Sequence, residues 1–260
     1  MKAERVLPGV WHIQGDMDVC MTLIEGENRA LLVDAGYGLS DLDAFVRVLT
    51  QKPLTVILTH GHHDHALGAR CFDETCMFSD DLPDFATFTA PEQRAKVAQQ
   101  AQAKGVAVPA DYLTAPIPVP KPLEEGEIDL GGLTAHIIHC PGHTPGSAVV
   151  YVPQPQLLLT ADDWNPCTWL FFPAALPAEA YRENVRALLQ LPFTHVLCSH
   201  RTALYERAVF EDFLNGLTDD CLRNARKVDM GWPIDTREAT PAEGQIFVFD
   251  WNKTKLEENA

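Results

Sequence analysis

The chain has 260 residues, 46% of them hydrophobic and 22% charged, and its 36 acidic side chains outweigh 20 basic ones to give a formal charge of −16 at pH 7. That length buries a core as one domain over 1–260 or a domain with insertions, and the acidic balance, with no basic run, argues against nucleic-acid binding. No apolar stretch approaches the roughly 20 residues of a membrane span, no apolar signal core follows Met1-Lys2-Ala3-Glu4-Arg5, and seven cysteines without a C-x-x-C pair make a disulfide framework unexpected. The expectation is a cytoplasmic protein that acts on a small molecule and makes no membrane contact.

In chain order, Gly9 to Ile13 and Cys20 to Ile24 read as strands, and Glu25-Gly26-Glu27-Asn28 is turn chemistry before a third strand, Arg29 to Asp34. A glycine-rich break at Ala35-Gly36-Tyr37-Gly38 precedes Ser40, a suitable N-cap for a helix from Asp41 to Thr50 whose Leu42, Phe45, Val46 and Leu49 share one face. The β-branched run Leu54 to Thr59 then reads as a buried strand that stops at His60-Gly61-His62-His63-Asp64-His65. Neutral imidazole and carboxylate are the ligands that zinc-like cations take, and alternate residues of a tight loop aim at different points. The spacing H-x-H-x-D-H therefore predicts two neighbouring metal sites.

Residues 78–122 contain a polar, alanine-rich helix from Pro91 to Lys104 and a proline-rich connector, which form either a solvated helix and linker or a lid over the metals. Leu133 to Ile138 reads as a strand, followed by the stiff turn His139-Cys140-Pro141-Gly142-His143-Thr144-Pro145-Gly146. Ser147 to Val152, a turn, and Leu157 to Asp162 then repeat the hairpin that ends at Asp34. A helix from Pro177 to Leu191 and the strand Thr194 to His200 repeat the order helix, then strand ending in histidine. Two pseudo-equivalent halves would pack their sheets face to face with helices outside and strand ends at one rim, an α/β arrangement that brings Asp162 and His200 to His60. The region 204–230 reads as amphipathic helices carrying the basic residues Arg223, Arg226 and Lys227, and a closing strand is expected at Gln245 to Phe249.

The strand ending Val33-Asp34-Ala35-Gly36, the H-x-H-x-D-H loop, Pro141-Gly142-His143-Thr144-Pro145-Gly146, Thr160-Ala161-Asp162 and Ser199-His200 resemble, in order, the metallo-β-lactamase-fold hydrolase superfamily. The resemblance implies a four-layer αβ/βα sandwich with the metal site at the rim between the sheets. It implies one metal on His60, His62 and His143 and another on Asp64, His65 and His200, with Asp162 bridging. The ions would be two divalent cations, zinc first, with iron or manganese as alternatives. Ala161 departs from the glycine that many relatives carry, with little consequence expected.

Within the superfamily, Asp162 stands where β-lactam-hydrolysing members usually have cysteine or another residue, which points instead to the glyoxalase II, lactonase and phosphodiesterase-like branches. His62 argues against the flavodiiron branch, which carries glutamate there. The expected activity is a dizinc hydrolase that uses a metal-bridging hydroxide to cleave a small ester, thioester, lactone or phosphodiester, with Asp64 orienting that nucleophile. The alternatives are a mononuclear iron enzyme like the persulfide dioxygenases, or a noncatalytic metal-binding member.

Asp34 is expected to accept a hydrogen bond from the ligand loop. Asp163 competes with Asp162 for the bridge, and register against Asp34 favours Asp162. His63 is expected to point away, and His12, His136, His139 and His195 to be structural. Tyr37, Trp164 and Trp169 are candidates to meet substrate, although core packing or a homodimer contact suits the aromatics equally.

Overall fold

The computed structural model describes residues 1–257, and the last three residues of the expected domain, 258–260, lie outside that range. Strands β1 (Lys2–Leu7), β2 (Val10–Gln14), β3 (Cys20–Glu25) and β4 (Ala30–Val33) form an antiparallel meander. After helix α1 (Leu42–Leu49), strand β5 (Leu54–Ile57) joins β4 in parallel register. Asp41 Oδ1, and not Ser40, caps α1 by accepting the Ala44 N–H at 3.0 Å. A short helix α2 (His63–Ala66) follows, and after it come β6 (Cys76–Met77), α3 (Leu82–Phe88), α4 (Pro91–Ala103) and β7 (Lys121–Pro122), which completes a seven-stranded sheet.

The second sheet runs through β8 (Gly126–Asp129), β9 (Thr134–His139), β10 (Ala148–Val152) and β11 (Leu157–Ala161). After β12 (Cys167–Leu170) and helix α5 (Ala178–Ala187), strand β13 (His195–Cys198) joins β11 in parallel, and β14 (Tyr205–Glu206) closes the edge. The parallel pairs β4–β5 and β11–β13 are therefore the two halves of the duplication read from the sequence.

Period-two alternation builds the layers. On β4 and β11, Leu31, Val33, Leu157 and Leu159 enter a core shared by both sheets, while Leu32 and Leu158 face outward into separate cores. The outer core of the first sheet takes Leu42 and Val46 of α1, and that of the second takes Tyr181 and Val185 of α5. Helix, sheet, sheet and helix stack in the expected αβ/βα order.

The chain after β14 departs from the expected purely helical segment. Helices α6 (Arg207–Gly216) and α7 (Asp219–Arg223) form, but Arg226 and Lys227 lie in a strand, β15 (Arg226–Lys227). That strand pairs with β16 (Thr236–Ala242), where Arg226 meets Glu238 directly across the ladder at 2.6 Å. Strand β17 (Gln245–Asp250) lies between β16 and β12, making a third, four-stranded sheet that packs through Phe247 and Phe249 on the outer face of the second half. Helix α4 is not fully solvated: Val97, Ala98 and Ala101 pack with Leu39, Leu67 and Tyr112. No helix among the described residues is long and apolar enough to cross a membrane.

Candidate metal centre

The ends of β5, β9, β11 and β13 converge at one rim, and two groups of ligand atoms assemble there. His60, His62 and His143 form one; Asp64, His65, Asp162 and His200 form the other; within each, the candidate atoms lie no more than 4.8 Å apart. Asp162 sits between the groups, its Oδ2 3.7 Å from His143 Nε2 and 3.5 Å from His65 Nε2.

Hydrogen bonds on the far side of each ring fix which nitrogen faces inward. His143 Nδ1 donates to the Trp169 carbonyl at 2.7 Å, and His65 Nδ1 donates to Asp34 Oδ2 at 2.9 Å. His60 Nδ1 lies 3.1 Å from the Thr59 hydroxyl, which donates onward to Asp34. Each bond places the proton on Nδ1 and leaves the lone pair on Nε2. His62 has the opposite orientation, with Nδ1 2.9 Å from His143 Nε2 and Nε2 facing Asp84 at 3.9 Å.

Electrostatics divide the two groups. Burial, reinforced by neighbouring imidazoles, holds His60 and His62 well below the ordinary histidine pKa, and burial lowers His143 too. These rings are neutral and ready to coordinate. Burial also opposes charge on His65 and His200, but the surrounding carboxylates, Asp162 foremost, outweigh it and raise both, His65 by a large margin. Asp162 and Asp64 are depressed despite their burial, by His200 and His65 for the former and His65, His63 and His200 for the latter.

This constellation fits cations. The Nε2 atoms of His60 and His65 are buried with no hydrogen-bond partner among the described residues, although buried polar atoms are nearly always satisfied. Inward lone pairs and clustered carboxylates are the donor set of a divalent ion such as zinc.

Asp34 accepts from the Thr59 N–H at 2.8 Å and the Thr59 hydroxyl as well as from His65, tying β5 to the second ligand group. Asp163 faces away from the cavity and accepts the His143 N–H at 3.0 Å. Asp34 and Asp162 each directly follow the last residue of their strand, the correspondence that favours Asp162, but the backbone differs there. The left-handed residue is Asp34 (φ 69°), just after β4, in the first half and Ala161 (φ 47°), the last residue of β11, in the second. Asp34 therefore turns beneath the loop while Asp162, one residue later, enters the cavity. The backbone at Ala161 explains the glycine of relatives, since a left-handed non-glycine residue costs about 1–2 kcal/mol.

One buried carboxylate escaped sequence reading. Asp81 accepts the Gly61 N–H at 2.5 Å and the Gly146 N–H at 2.7 Å, clamping the H-x-H-x-D-H loop to the loop of His143. Burial pushes its pKa up to about 6. Nothing in the sequence distinguishes Asp81 from Asp80 beside it.

Above the ligands lies a cavity of ≈ 450 Å³. Tyr37, Trp169 and Phe172 line it, as do Phe88 and Lys104 from the 78–122 segment. His63 also lines the wall instead of pointing away. Trp164 corrects expectation: it is 0% exposed, and its Nε1 donates to Gln245 Oε1 at 3.1 Å, so it packs beneath β17 and lines no part of this cavity. His12, expected to be structural, bonds to Thr22 and the Arg201 carbonyl.

Comparison with known proteins adds to this geometry. The profile of the metallo-beta-lactamase superfamily matches residues 15–200. The acyl-coenzyme A thioesterase MBLAC2 of Gallus gallus is 26% identical over 170 residues, covering 57% of this chain and 59% of that protein. The probable metallo-hydrolase YqgX of Bacillus subtilis is 26% identical over 141 residues, covering 52% of this chain and 61% of that one. This chain thus spans about three fifths of the length of these curated relatives. Among solved structures, TTHA1623 in a di-iron-bound form superposes with a TM-score of 0.56 at 25% identity, covering 77% of this chain and 96% of that chain.

Proposed function

Since the chain belongs to the metallo-β-lactamase superfamily, we propose that it is a two-metal hydrolase, zinc being the first choice of cation, and that it cleaves a carboxylic ester or thioester. The observation that carries this reading is Asp162, placed within 4 Å of both His143 and His65 and so able to serve both ligand groups. The thioesterase named among the relatives favours an acyl bond, open-chain as in a thioester, over the phosphodiester alternative.

His60, His62 and His143 would hold one ion and Asp64, His65 and His200 the other, with Asp162 shared. Bound there, the ions supply Lewis acidity and lower the pKa of water toward 7. The chain's own contribution is positional. Asp34 and the Trp169 carbonyl fix the tautomers of His65 and His143, keeping both Nε2 lone pairs turned inward. Asp64, held ionised and with Oδ2 3.5 Å from His200 Nε2, orients the attacking water and accepts its proton. Phe88 and Phe172, whose rings lie 4.4 and 4.5 Å from that of His62, keep bulk water from the three-histidine side.

The test combines metal analysis with turnover. Purified protein loaded with zinc is expected to carry two ions per chain and to hydrolyse chromogenic thioesters or esters, and Asp64→Asn is expected to lose at least about a hundredfold in kcat/KM. Wild type that binds two ions yet turns over no faster than Asp64→Asn refutes the hydrolase. A single bound iron with oxygen uptake would transfer the reading to a dioxygenase.

A further inference from the structure

The cavity wall combines two kinds of chemistry. Aromatic rings gather at the three-histidine end: Phe88 and Phe172 against His62, with Phe172 also 5.5 Å from His143. Buried Phe171 backs this surface, stacking on Phe172 at 4.8 Å and packing on Trp169 at 5.4 Å, and Trp232 reaches Phe172 at 6.0 Å. Trp169 and Trp232 are 41% and 39% exposed, unusual for such large apolar side chains. Beyond them Trp232, Val228 and Ile234 line a shallow surface groove. An apolar track thus runs from the metal ligands to solvent.

Two cationic side chains line the same cavity. Arg201 directly follows His200 and lines the cavity, as does Lys104 at the end of α4. Among the described residues, ten of the 20 basic side chains have a carboxylate within 4 Å; neither of these two does, and the Arg201 guanidinium bonds to the His200 carbonyl. Asp18 lines the same cavity, 3.5 Å from the Gln14 amide. With Asp64 and Asp162 engaged by cations, the local charge stays positive despite Asp18.

Resting on the acyl-hydrolase reading above, we infer that the substrate is an amphiphile, an apolar acyl chain on an anionic leaving group. The chain lies along Phe88, Phe172, Trp169 and Trp232, and the anion of the leaving group faces Arg201 and Lys104. The scissile carbonyl falls between, over the metal ligands. Apolar burial along the track selects chain length, and the unpaired cations select the carrier.

Binding and turnover are tested separately on zinc-loaded protein. For binding, the probes are S-butyl and S-octyl thioethers of coenzyme A, which are anionic and cannot be hydrolysed, and the same thioethers of neutral N-acetylcysteamine, all followed by calorimetry. Each added methylene is expected to tighten binding roughly two- to threefold, somewhat below the value for full burial because the track is open to solvent. Trp169→Ala and Trp232→Ala, both altering exposed rings, should flatten this slope with metal content unchanged. Arg201→Ala and Lys104→Ala should each lower the preference for the anionic over the neutral carrier by roughly two- to fivefold. A chain-length slope that is absent, or that survives both tryptophan variants, overturns the inference, as does a carrier preference that survives both cation variants. In the turnover arm the corresponding thioesters replace the thioethers. Thioethers that bind as expected while no thioester is cleaved refute the hydrolase and support the cavity assignment; thioesters cleaved without regard to chain or carrier do the reverse.

Discussion

Acidification is expected to act unequally on the two ligand groups. His60, His62 and His143 have pKa values held below the ordinary histidine value, so between pH 7.5 and 5.5 a cation meets neutral rings there and displaces almost no proton. His65 and His200 are raised by Asp162 and its neighbours against the opposing effect of burial. Competition from protons is therefore fully present below their raised pKa values and fades only as the pH climbs through them. A site that releases n protons on binding loses about n powers of ten in affinity per pH unit, because coordination requires the deprotonated ligand. Affinity at the Asp64/His65/His200 group is therefore expected to fall more steeply with acid than at the three-histidine group. Equilibrium dialysis at fixed free zinc, read by plasma mass spectrometry, should show occupancy falling from two ions per chain to one. His200→Ala should bind one ion at pH 7.5 and show no such step. Parallel loss from both sites, or a step that persists in His200→Ala, refutes the reasoning.

Four substitutions test other parts of the geometry. Asp34→Asn, which loses an acceptor for either Thr59 or His65, is expected to weaken zinc at the second ligand group about 10- to 100-fold in a chelator competition. Gly61→Ala would place a Cβ 2.3 Å from the backbone nitrogen of Phe85; unfolding curves should show a loss of about 1–3 kcal/mol, accompanied by weaker metal binding at the three-histidine group. Ala161→Gly, at φ 47°, should gain about 1 kcal/mol and raise Tm by roughly 2–4 °C, and an unchanged or lower Tm would contradict the strain argument. Trp164→Phe, which removes a buried hydrogen bond to Gln245, should lower Tm while kcat/KM moves less than about twofold; a large kcat/KM effect would return Trp164 to the cavity.

The ligand loop and the duplication were legible because both rest on local signals. His60, His62, Asp64 and His65 sit within six positions, and strands with a buried face alternate at period two, so the sequence displays the layers directly. The third sheet was hidden for the opposite reason. Strand β16 is largely polar, Thr-Arg-Glu-Ala-Thr-Pro-Ala, and its place depends on β17, whose other partner, β12, lies far back in the chain. Trp164 and Trp169 are equally aromatic and five residues apart. Only the hydrogen bond to Gln245 and the parallel pairing of β12 with β17 separate a core residue from a wall residue. Asp81 was invisible because its partners are backbone N–H groups, which every residue but proline carries.

The pairing of β12 with β17 has a consequence for how the protein is made. Seven ligand candidates, the last being His200, leave the ribosome before β16 and β17 exist, while the strand that carries Trp169 has no neighbour in its own sheet until β17 is synthesised. During translation, then, a full set of cation donors emerges before the strand that anchors β12. Mutation in β17 can therefore shift β12 and, with it, both the Trp169 ring on the cavity wall and the Trp169 carbonyl that orients His143.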